Sequence, residues 1–246
     1  TATPTPTHTP TPTATPTLTS TPTPTATPTP LGISAGDVLE ASAAAMKALA
    51  AFHFDMDIVV SVASEDSALD IPIAVSGDFQ APDRLKASFL MDLLLLKIET
   101  EIVSIGDTEY VKDPATGEWQ VSVGQGGLFT NPGRLVELEA GDIQDLALVG
   151  MEVLEGIELY HLTGVVGGGS IGFSGELEVS LWVRTDDGLI ARVTAEGDIA
   201  LDEAGGDLLG DLDLGTSRAA IVLSLSEFGK EVDIVAPIAG PGAAAT

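Results

Sequence analysis

The sequence predicts an α+β protein: a curved antiparallel half-barrel of about ten strands with helices on its concave side. Three observations carry that prediction. Apolar residues recur with period two in stretch after stretch from Phe52 onward, nearly every link between these stretches is a short turn, and only two segments have helical character. A long run of antiparallel strands with one dry face must curl over something or be covered, and the two helices are the available cover.

The folded part is bounded by composition. Residues 1–30 form a Thr-Pro tract with no Asp, Glu, Lys or Arg, expected to be a disordered or polyproline-like spacer. Residues 31–238 are enough for one domain with a full core, and 239–246 are a Gly-Ala tail expected to be disordered. Lys and Arg number 10 against 37 Asp and Glu, so the formal charge of −27 falls on the folded part. Such a surface repels phosphate backbones, which argues against nucleic-acid binding. With 44% hydrophobic but only 4% aromatic residues, the core is aliphatic. There is no cysteine, hence neither a disulfide framework nor a thiolate metal site. No apolar run is long enough to span a bilayer as a helix, and no signal peptide stands at the front.

Ser34 with Asp37 three residues on has the form of a capping box, and a proline-free stretch carries the first helix to about Ala51. Its stripe is Val38, Leu39, Ser42, Ala45, Met46 and Leu49. These are mostly modest side chains, so the helix can lie close to a sheet or leave room for a guest. From Phe52 the period changes to two: Phe52, Phe54, Met56, Ile58, Val60 and Val62 face one way, and His53, Asp55, Asp57 and Ser61 the other. A polar turn over 65–70 leads to the hairpin partner, with Ile71, Ile73, Val75, Gly77 and Phe79 on one side.

After the turn at 81–83, Leu85, Ala87, Phe89 and Met91 alternate with Arg84, Lys86 and Ser88. The next strand sets Leu96, Ile98, Thr100 and Ile102 inward and Lys97, Glu99 and Glu101 outward. Leu93, Leu94 and Leu95 occupy a hairpin tip where polar residues are usual, which is read as a turn buried by a neighbouring loop before it is read as a contact surface. Turns at 106–107 and 114–117 bring Tyr110 near Trp119, a pair that stabilises a sheet. Asn131-Pro132 opens a second, short helix presenting Leu135, Val136 and Leu138.

Strands resume at 145–154 and 157–166, and then comes the cleanest alternation, Ile171, Phe173, Gly175, Leu177, Val179, Leu181 and Val183. Asp186-Asp187-Gly188 turns into its return strand, residues 202–215 form an acidic loop, and 217–229 give a last strand. The run EVDIVAP is read as a short edge strand.

The runs SGDFQAPDR, VSIGDTEYVKDPATGEW, VGMEVLEGIELYHLTG and LSEFGKEVDIVAP, in that order, resemble the LppX/LprA/LprF/LprG lipoprotein family over most of residues 35–237. The resemblance implies a fold like that of the lipoprotein carrier LolA. It also implies an extracytoplasmic bacterial lipoprotein that holds acyl chains of a lipid or lipoglycan in an apolar cavity and carries them within the cell envelope. Attachment to the cell membrane would be through an N-terminal lipid anchor that this chain does not contain. A monomer is expected, with room for an envelope protein partner and with no cofactor.

The candidate ligand-binding surface is Val38, Ala45, Met46, Leu49, Phe54, Met56, Ile58, Ile73, Val75, Phe89, Leu96, Ile98, Leu135, Leu138, Leu177, Val179 and Leu181. Each acyl methylene buried there contributes about 0.8 kcal/mol, so a few chains suffice for tight retention. Periodicity shows burial and not vacancy, so a filled core under the helices stays open as the alternative, as does an anchored interaction or sensor module of the same fold. No catalytic motif is present: His53, Asp55 and His161 lack a nucleophile elbow and read as solvated surface groups, so the chain is read as a non-enzyme. Glu203, Asp207, Asp211 and Asp213 do not follow an EF-hand spacing and read as a solvated loop without metal.

Overall fold

The computed structural model describes residues 32–63, 68–93, 96–123, 138–167, 174–200 and 216–238. One helix, α1 (Ala35–Lys47), precedes eleven strands: β1 (Ala51–Ala63), β2 (Ala68–Gln80), β3 (Arg84–Leu93), β4 (Leu96–Ile105), β5 (Thr108–Lys112), β6 (Trp119–Val123), β7 (Ile143–Leu154), β8 (Ile157–Gly167), β9 (Ser174–Arg184), β10 (Ile190–Ala200) and β11 (Thr216–Ser226). They form one antiparallel sheet in the order β6-β5-β4-β3-β2-β1-β11-β10-β9-β8-β7. The sheet is therefore two meanders, β1 to β6 and β7 to β11, joined where the first strand pairs with the last from His53↔Ser226 to Val62↔Ser217. Strands β6 and β7 are its two edges, so it is open.

The helix begins as its sequence dictates. Ser34 Oγ accepts from the Asp37 N–H at 3.1 Å, and the Asp37 carboxylate accepts from the Ser34 N–H at 3.2 Å. It ends earlier than expected, at Lys47, because Ala48 caps it and Ala51 already pairs with Gln80 in the sheet. Leu49 thus leaves the helix but still packs, half-buried, against the core.

Curvature has a local cause at two inward positions. A Cβ on Gly77, opposite Phe54, would collide with the β3 backbone at Lys86 and Ala87, and one on Gly197 would collide with Glu176 and Leu177 of β9. Glycine inside a strand marks such close approach, and here it lets the sheet bend toward its apolar face.

The run 231–237 is not an edge strand. It is an irregular strap across the convex face of β2 to β6, held where Arg84 Nη1 donates to the Ile234 carbonyl at 2.8 Å and the Ile234 N–H donates to Gln80 Oε1 at 3.0 Å. Ile234 lies there with Val103 and Tyr110 in a second small core, flanked by Ile105, Trp119, Val121 and Val232. Tyr110 and Trp119 share that face, although Tyr110 pairs directly with Val121 and Trp119 with Lys112. The 1–30 spacer, the tip at Leu94 and Leu95, the second helix with Leu135 and Val136, Ile171 to Phe173, the loop at 202–215 and the tail from 239 lie outside the described residues.

Candidate functional site: the concave apolar face

Register aligns the inward side chains of successive strands into belts. One belt runs Phe89, Val75, Met56, Leu223, Val193, Leu181 and Leu162 across seven strands from β3 to β8. The next runs Met91, Ile73, Ile58, Ile221, Ala195 and Val179. These residues are buried and form one contiguous cluster with Val38, Leu39 and Met46 of α1 and with Leu138. Among the described residues the only buried polar side chains are Ser42, Thr100 and Ser217, and no charged one is buried.

The helix crosses the β7 side of this face at the end where β1 starts. It touches β7, and Ala45 Cβ lies 3.6 Å from where a Cβ on Gly188, in the β9–β10 turn, would sit. A 13-residue helix is about 20 Å long, while eleven strands spaced about 4.8 Å apart span roughly 50 Å. Among described elements, α1 alone therefore cannot cover the concave surface.

Of the sequence-derived candidates, Val38, Met46, Phe54, Met56, Ile58, Ile73, Val75, Phe89, Leu138, Leu177, Val179 and Leu181 are buried in this cluster, and Ala45, Leu49 and Ile98 pack against it half-buried. Leu135 and the side chain of Leu96 lie outside the described residues. Sequence reasoning left out the inward residues of β8, β10 and β11. Ala219, Ile221, Leu223 and Leu225 carried the signal, a period-two run obscured by the apolar Val222 between them.

The convex face carries a polar row on the β7 side. Glu152 Oε1 pairs with His161 Nδ1 at 2.8 Å, its Oε2 accepts from the Trp182 indole N–H at 3.0 Å, and the His161 and Trp182 rings stack at 4.5 Å. The indole hydrogen bond is the largest influence on the Glu152 carboxyl and, with His161, holds it below the usual glutamate value against the opposing effect of burial. Near the seam, burial pushes the Asp78 carboxyl up, but Lys230 at 2.6 Å and His53 at 2.7 Å outweigh it and hold it low. His53 is thus oriented by Asp78, with Asp55 further off at 3.6 Å.

A cleft of about 320 Å³ where β5 leaves β4 is lined by Ser88, Glu99, Glu101, Lys112 and Asp113, with Lys112 paired to Glu101 at 2.6 Å. Its charged walls suit no acyl chain. Among the described residues no group of three or more His, Cys, Asp or Glu could hold a metal ion, and no helix is long and apolar enough to cross a membrane.

A single curved antiparallel sheet with an apolar concave face and a capped helix laid into it defines the class: an open antiparallel half-barrel. Within it, the chain belongs to the LppX_LprAFG lipoprotein family, whose model matches residues 34–234. Among solved structures the chain is similar to the lipoprotein LppX of Mycobacterium tuberculosis, at 18% identity and TM-score 0.49 over 82% of this chain and 98% of that one. It is also similar to LprF from Mycobacterium bovis, at 15% identity and TM-score 0.49 over 83% of this chain and 97% of that one. A LolA superfamily protein from Nitrosomonas europaea matches at 14% identity and TM-score 0.31 over 83% and 96%. Among curated proteins, none matches this sequence.

Proposed function

We propose that this protein holds the acyl chains of a lipid or lipoglycan against its concave face and carries them within the cell envelope. The observation that carries the reading is the pair of uncharged belts that cross six or seven strands as one continuous apolar face. At about 0.8 kcal/mol per methylene, such a surface retains chains without needing any specific contact. Membership in a lipoprotein family supports a place outside the cytoplasm, tethered to a bacterial cell membrane by an N-terminal lipid anchor, with residues 1–30 as the spacer.

The test is native purification followed by organic extraction and mass spectrometry. The expected result is copurified acyl lipid from the wild-type chain, and much less from Val179→Trp, whose larger side chain fills one end of a belt while circular dichroism still reports a folded sheet. A wild-type protein purified from its native envelope without lipid would sink the carrier reading and favour an anchored interaction module of the same fold.

A further inference from the structure

Ser42 is the one polar residue in the stripe that α1 turns toward the sheet. It lies one turn from Val38 and Leu39 on one side and from Met46 on the other, and those three belong to the concave cluster. Its side chain is fully buried, and its hydroxyl has no hydrogen-bond partner among the described residues. A buried hydroxyl without a partner is costly, and alanine at this position would be both a better helix former and free of that cost. Buried polar groups in native proteins are almost always paired, so an orphan in the helix stripe that faces the proposed lipid site points to a partner supplied by the guest.

We propose that Ser42 Oγ donates a hydrogen bond to the acyl carbonyl of the bound lipid, resting on the carrier reading above. The chemistry of the surroundings selects that partner. No charged residue belongs to the concave cluster, so a phosphate or carboxylate beside Ser42 would be left without a counter-charge. A neutral ester carbonyl needs one donor only. It is also the first polar atom that an acyl chain presents once its methylenes lie along the belts. Ser42 is then a selectivity residue: it favours esterified chains over ether-linked or plain hydrocarbon chains of equal length, which bury the same apolar area and cannot accept there.

The experiment uses the full chain, delipidated, with two probes: a diacyl phosphatidylcholine and its dialkyl-ether analogue of identical chain length, both presented in vesicles. The wild type is expected to retain the diacyl lipid more tightly by roughly five- to tenfold, the worth of one buried hydrogen bond. Ser42→Ala should bring the two lipids level, Ser42→Thr should keep the preference, and the lipid-free Ser42→Ala protein should melt no lower than wild type.

Equal binding of both lipids by the wild type, or a preference that survives Ser42→Ala, overturns the assignment while leaving lipid carriage intact. A lower melting temperature for lipid-free Ser42→Ala would show the hydroxyl serving the fold and overturn it equally. Failure of the wild type to bind either lipid removes both readings together.

Discussion

On the β7 to β11 side of the seam, the second layer is α1 on the concave face, and the convex face carries the polar row of Glu152, His161 and Trp182. On the β2 to β6 side, the strap through Ile234 lies on the convex face instead, over Val103 and Tyr110. The difference shows in the sequences of the strands. Strand β9 alternates cleanly, with Leu177, Val179, Leu181 and Val183 buried and Glu176 and Glu178 exposed, because only one of its faces is dry. Strand β4 loses the alternation at Ile102 and Val103, both buried, because there the strap makes a second dry face.

The largest expected effect comes from what the halves share. Leu181→Ala opens a cavity in a belt that crosses the seam and is expected to cost about 3 kcal/mol. The chain has two tryptophans, Trp119 under the strap and Trp182 on the helix side, so fluorescence reports each half during urea unfolding. For Leu181→Ala both signals should shift to lower urea together. Separate shifts would mean the halves do not unfold as one unit.

Ile234→Ala sharpens the contrast. It empties the small convex core and is expected to cost about 2 kcal/mol, with hydrogen exchange rising at Val103, Tyr110 and Val121 and not in β8 to β10. Uniform loss of protection would mean the strap supports the whole sheet.

The smallest effect tests the polar row on the other side. Glu152 titrates below its ordinary value in the fold, so its contribution is present above the unfolded carboxylate value of about 4.3 and is lost as pH falls through the lower folded value. Glu152→Gln should therefore cost about 1 kcal/mol at pH 7 and flatten the fall in melting temperature below about pH 4.3. An unchanged acid profile would remove the ionised row as a source of stability.

The faces of the strands were legible because period two needs only local sequence, and the capping box at Ser34 and Asp37 was legible for the same reason. Two things were not. EVDIVAP carries strand-like residues, but its backbone is fixed by Arg84 and Gln80, about 150 positions away, and no local pattern encodes such partners. A simple meander would have left β1 at an edge, whereas pairing with β11 places it in the centre. Of the candidate site, the residues on cleanly alternating strands were found, and those of β11 were hidden because the intervening Val222 is apolar too.

The seam between β1 and β11 governs the order in which the molecule can be made. Each meander closes by contacts between neighbours in the chain, but His53 and Ser226 meet only after almost the whole chain exists. Until then β1 presents a long row of unpaired backbone groups beside Phe54, Met56 and Ile58, the kind of edge that recruits other chains. Pairing so distant in sequence is also slow. The emerging chain is thus kept from completing its sheet until its last strand is free, and the interval before that is when it most needs protection from its own copies.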